Sequence, residues 1–234
     1  MTATAAVPIE EGKTLGSWVY DRLLDDIVSG SLTPGQKLTL DALKERYAVG
    51  ITPLREALYR LSTSLLVTVE DQRGFRVAPV SPEHRADIMG ARHHIETLAL
   101  RNAFQSADLA WDGRILAAFH RLKNTPMYND DEKKIARDWE NAHRDFHQAV
   151  LSAAKSSTLL HFQRMLWDHA ARYRNLNPPA RVKGEQLYPE HEALLNAIIA
   201  RDEEMACMLL RRHILGTAAP LLEASQKDGK AVLG

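Results

Sequence analysis

Four of the chain's ten histidines stand where one metal ion could share them. His143 and His147 are four residues apart, so on a helix they project from one face about one turn apart. His191 opens a later helical stretch and His213 lies within the last one. A helical bundle is able to turn all four side chains inward to one point. Imidazoles select zinc, nickel, copper, iron or cobalt over calcium or magnesium. The spacing also has an ordinary reading, a pair that is exposed or simply hydrogen-bonded in a core. The lone Cys207 excludes an internal disulfide and fits a reducing cytosol. It sits in an apolar helical pattern, which reads as packing rather than nucleophilic chemistry.

A second group of residues could read nucleic acid. Gly50, Ile51, Thr52, Pro53 and Arg55 open a short amphipathic stretch whose apolar face is Leu54, Ala57, Leu58 and Leu61. Arg55 is able to reach a phosphate or a guanine edge. Thr52 is able to donate to a phosphate beside the helix N-terminal amides and is read as a helix cap, with Pro53 in the first turn. Arg46, Arg60, Gln72 and Arg73 would add backbone contacts. The competing reading is a set of surface charges used for protein contacts. Charge does not decide it: the first 80 residues hold nine Lys/Arg against ten Asp/Glu, and the whole chain balances 30 against 30.

The elements that must position these groups follow from periodicity. Leu15, Val19, Leu23, Leu24 and Ile27 give a first helix over 15–28, closed by Gly30. The turn Leu32-Thr33-Pro34-Gly35 leads to a short helix carrying Leu40 and Leu43, and Ala48-Val49-Gly50 turns into the third. Leu66 to Glu70 and Phe75 to Pro79 are β-rich runs around a polar tip, a hairpin. Three helices and a hairpin make a winged helix-turn-helix. Ser81-Pro82-Glu83 then starts a helix. Helices are expected over 82–105, 108–124, 131–154, 157–174, 188–200 and 202–225, with no strand among them and one long break at 175–184.

The expected architecture is therefore mainly α: a loose tail over 1–13, a winged helix-turn-helix over 14–80, an antiparallel all-α bundle over 81–226, and a second tail over 227–234. Hydrophobic content of 45% and charged content of 26% suit a folded protein. No apolar run approaches the ~20 residues of a membrane span. Met1 to Pro8 lacks the basic start and long apolar core of a signal peptide, and a cytoplasmic protein with no membrane partner is expected.

Leu32-Thr33-Pro34-Gly35-Gln36-Lys37-Leu38, Thr52-Pro53-Leu54-Arg55-Glu56-Ala57-Leu58 and Gly74-Phe75-Arg76-Val77 resemble, in order and spacing, the DNA-binding domain of the GntR family of bacterial regulators. The resemblance implies a homodimer on a palindromic double-stranded operator. Where that family usually reads Val-Ser-Arg, this chain has Val49-Gly50-Ile51, so direct readout should be weaker or different. Ile51 is able to touch a thymine methyl. Arg92-His93-His94-Ile95-Glu96, Phe146-His147, Glu190-His191 and Arg212-His213 make the second domain similar to the FadR C-terminal (FCD) class.

Many members of that class hold a divalent metal with one aspartate and three histidines. His147, His191 and His213 match the histidines, and His143 stands where the aspartate would be. A four-imidazole site for zinc or nickel is implied, with one negative charge fewer. The resemblance also implies an effector pocket for a small organic acid. Arg92 would grip its carboxylate in a fork, beside Glu96, Ser156 and Arg172, with Arg174 as a further lining residue. Without the resemblance, Arg92 and Glu96 read as an i,i+4 ion pair worth about 0.3–0.5 kcal/mol if exposed. Ser156 replaces the family's frequent asparagine.

The function implied is a ligand-responsive transcription regulator, a repressor by expectation, and not an enzyme. One alternative is a metal-free sensor of the acyl-CoA or fatty-acid type. Another is a histidine-metal enzyme fused to a helix-turn-helix, for which Glu96 is the candidate general base.

Overall fold

The structure, a computed structural model, describes residues 12–70, 74–128, 135–176 and 188–216. The chain divides into two compact units, Met1–Val80 and Ser81–Gly234.

The first unit holds α1 (Leu15–Val28), β1 (Lys37–Leu38), α2 (Leu40–Tyr47), α3 (Ile51–Thr63), β2 (Val67–Glu70) and β3 (Gly74–Val77). α1 starts because the Thr14 hydroxyl accepts a hydrogen bond from Ser17 N–H. Its Val19, Leu23 and Ile27 pack on Leu54, Leu58 and Leu61 of α3, all fully buried. Each such leucine contributes about 1.5–3 kcal/mol on burial. The Glu56 side chain of α3 lies against Gly16: a Cβ there would come within 2.9 Å of its carboxylate.

Two differences from expectation appear. The sheet has three strands in the order β1-β3-β2, antiparallel, with Lys37 opposite Arg76 and Val67 opposite Val77. β1 is too short to show a period of two. Its approach needs Gly35 at φ +76°, a region that only glycine enters without strain. The cap of α3 is Gly50, not Thr52, so the threonine lies inside the first turn.

The second unit holds α4 (Pro82–Phe104), α5 (Leu109–Lys123), α6 (Arg137–Leu151), α7 (Ser157–Leu176), α8 (Tyr188–Ile199) and α9 (Glu203–Gly216). Ser81 and Asp108 cap α4 and α5 by accepting from His84 N–H and Trp111 N–H. α4 packs on α7 and α9, α5 on α6 and α8, and α8 on α9. Their shared core includes Trp111, Ile115, Phe146, Val150 and Leu210. α6 is shorter than the expected 131–154. Tyr128 and Ile135 form an antiparallel bridge, and Ala136 N–H donates to Met127 C=O, which holds the chain extended until Arg137. The expected helix over 202–225 is described as far as Gly216, and the rest lies outside the described residues.

Candidate metal centre and DNA-reading face

α6 buries a stripe at helical spacing: Trp139, His143, Phe146, His147 and Val150. His191 enters from the first turn of α8 and His213 from the last turn of α9. The four imidazoles are 3%, 1%, 2% and 7% exposed for His143, His147, His191 and His213. One ring nitrogen from each lies within 4.8 Å of all the others. His143 Nε2 is 3.1 Å from His191 Nε2. The His191 and His213 rings sit 4.5 Å apart, and the His147 ring stacks on His213 at 5.2 Å.

This donor set fits a nitrogen-loving divalent ion. Both ring nitrogens of His147 are buried with no hydrogen-bond partner, and an ion would engage the one lone pair that its neutral ring carries. Nitrogens sharing one zinc-sized ion at about 2.1 Å each stand at most about 4.2 Å apart. The 4.8 Å span is within a small side-chain rotation of that. Burial pushes the His143 and His147 imidazoles well below their ordinary pKa. Arg174 adds to the effect at His143, and His213 and Arg92 at His147. Both are thereby held in the neutral form that ligates.

Around the imidazoles stands a polar wall. The indole of Trp167, on α7, is centred 5.1 Å from His143 and 4.9 Å from His147. The Arg92 guanidinium lies 4.4 Å from the Trp167 centroid and that of Arg174 5.4 Å. Arg92 Nε donates to Glu96 in a pair that is almost wholly buried, unlike a surface i,i+4 bridge. Arg174 binds both oxygens of Glu140, at 2.6 and 3.0 Å. Arg92 Nη2, Glu96 Oε2, Gln163 Nε2 and Trp167 Nε1 are buried polar atoms with no partner. Glu190 Oε2 accepts from His213 Nδ1–H at 2.9 Å, and that bond holds its carboxyl below the usual range.

Two expected effector residues show contacts of another kind. Ser156 accepts from Leu159 N–H at the head of α7, as a cap does. Arg172 is buried next to Tyr173 and lies five residues beyond Trp167, about 140° around α7. Arg174, seven residues beyond Trp167, shares its face. Sequence reasoning misses Trp139, Glu140, Gln163, Trp167 and Glu190. The i,i+4 run Trp139-His143-His147 is the signal available for one of them.

In the first unit, Ile51, Thr52 and Arg55 are exposed on the opening turns of α3, with Ile51 at 44%. Arg55 also lines an open groove of about 500 Å³, with Lys37, Thr39, Tyr59, Val69 and Phe75 among others. Arg60 stacks over Tyr20 at 4.2 Å. Arg46 is tied to Asp26 at 2.8 Å, and the Tyr47 hydroxyl donates to the same carboxylate. Gln72 and Arg73 lie outside the described residues.

Comparison with known proteins identifies both domains. The family described as bacterial regulatory proteins, gntR family, matches residues 15–77, and the FCD domain family matches 87–216. The chain is 36% identical over 209 residues to the uncharacterized HTH-type transcriptional regulator BphR of Paraburkholderia xenovorans (strain LB400), covering 89% of this chain and 85% of that one. It is 35% identical over 208 residues to the HTH-type transcriptional repressor GlaR of Escherichia coli (strain K12), covering 87% and 94%. Among solved structures, E. coli McbR/YncC superposes with a TM-score of 0.73 at 23% identity over 91% of this chain and 99% of that one, a likeness of fold. The chain therefore belongs to the gntR family of bacterial regulatory proteins, in its FCD-domain subfamily, and is a transcription regulator and not an enzyme.

Proposed function

We propose that this regulator is a cytoplasmic repressor whose DNA affinity is set by a small carboxylate bound at a histidine-held divalent metal, zinc or nickel foremost. The observation that carries the reading is the convergence of His143, His147, His191 and His213 from three helices, all buried, with nitrogens within 4.8 Å. When bound, the metal supplies coordination positions that accept carboxylate oxygens. Arg92, with Nη2 unengaged beside Trp167, orients the acid's other polar end. Trp167 and Trp139 pack against the imidazoles. A metal-free acyl-chain sensor fits less well, because the wall carries arginine, glutamate and imidazole rather than an apolar channel.

An effector changes DNA affinity only through unequal affinity for two arrangements of the protein. α7 gives that preference a route. It places Trp167 beside the histidines, while its Tyr173 hydroxyl donates to Ser81 C=O, accepts from Ser81 N–H, and meets His84 Nδ1 at 2.8 Å. Ser81 caps α4 and directly follows the first unit in the chain. A shift of α7 thus reaches the segment leading to the DNA-reading head. A homodimer on a palindromic operator would translate it into half-site spacing. GlaR, a relative, is named a repressor.

The test is operator binding by gel shift at fixed salt, with tag-free protein of measured metal content, across a panel of carboxylic acids. Release from DNA by one acid, requiring metal, is the expected result. Metal-free protein as purified, with no uptake of zinc or nickel, would refute the sensing mechanism.

A further inference from the structure

We propose that Glu190 is a positioning residue for this metal centre: it fixes the His213 tautomer and supplies the counter-charge that four imidazoles lack. The inference rests on the metal reading above. Its own ground is a separate set of contacts. A carboxylate only accepts hydrogen bonds, so the 2.9 Å contact to His213 Nδ1 requires the proton on Nδ1. The lone pair is then on Nε2, and the ring is oriented by a contact outside the cluster. A carboxylate behind a ligating imidazole also raises its basicity.

None of the four candidate ligands is anionic. Two other carboxylates of the polar wall are engaged by guanidinium groups: Glu96 by Arg92 and Glu140 by Arg174. Glu190 instead meets an imidazole of the cluster. Its place is fixed by the helix that carries it, because it directly precedes His191 in the first turn of α8. One turn of backbone therefore delivers a ligand and the partner of another ligand from α9. Glu190 keeps 45% side-chain exposure. It can stay ionised without the full penalty of burial.

The experiment titrates zinc and nickel, separately, into tag-free full-length protein stripped by chelator. Wild type is compared with Glu190→Ala and Glu190→Gln. We expect the Ala variant to bind 10–100-fold more weakly; a loss under tenfold overturns the proposal. Gln keeps an acceptor and loses the charge, so it should fall between, weaker than wild type by at least threefold. A smaller loss overturns the counter-charge role and keeps the matter decidable if the Ala variant does not fold. ¹⁵N NMR of the wild type should show His213 protonated at Nδ1, and protonation at Nε2 overturns the tautomer claim. A merely structural role would lower thermal stability in both variants with unchanged metal Kd. Wild type that takes up neither metal would defeat the metal reading itself, an outcome distinct from unequal variants of a metal-binding parent.

Discussion

His143 Nε2 and His191 Nε2 face each other at 3.1 Å across 48 residues of chain. Two neutral imidazoles at that distance present one proton and one lone pair between them, or two lone pairs to a shared cation. The bundle thus brings two rings to a spacing that adjacent ligands of one ion would adopt.

Metal removal should destabilise the protein. An ion held at 100 times its Kd adds about 2.7 kcal/mol. Differential scanning calorimetry with and without chelator reads this directly. His147→Ala should abolish the difference, and a chelator-insensitive midpoint in wild type would contradict it.

Acid should weaken the metal-free fold. His143 and His147 remain neutral in the fold well below their ordinary value of 6.5. The unfolded chain takes up protons there near pH 6.5, so below that point it binds more protons than the native state. Stability is greatest above this value and declines as pH falls towards 5, by up to about 1.4 kcal/mol per pH unit for each imidazole. Urea midpoints of stripped protein at several pH values check the slope, and a flat profile from neutral to mildly acid conditions would count against it.

Breaking the Arg92–Glu96 pair should cost more than deleting it. Arg92→Met leaves a carboxylate fully buried without its cation, at a cost of about 3–5 kcal/mol. Adding Glu96→Leu should restore most of that loss. Chemical denaturation of the three proteins decides, with additive losses as the contrary result.

Arg55→Ala should weaken operator binding by about 1–3 kcal/mol. Arg46→Ala should weaken it less, because Asp26 already engages that guanidinium. Gel shifts at matched salt compare them; the reverse ranking would move the reading face away from the start of α3.

Local patterns in the sequence carry much of the fold and half of the histidine cluster. Leucines at helical spacing announce α1 and α3, and Ser81-Pro82 announces α4. His143 and His147 declare a shared face because helix geometry is local. What stays hidden is non-local. β1 exists only because β3 lies beside it. The start of α6 is set by a bridge to Tyr128. Arg172 and Arg174 look equivalent in the sequence, yet only the second shares a face of α7 with Trp167. Counting from Trp167 separates them, but only once that tryptophan is known to belong to the wall.

Trp139 lies nearly parallel to His143, with centroids 4.6 Å apart and a 24° tilt, and Trp167 touches both rings of the i,i+4 pair. Half of the chain's four tryptophans therefore sit against the same imidazoles. Ultraviolet emission from these two indoles should therefore shift when an ion joins the imidazoles, an optical gauge that needs no added label.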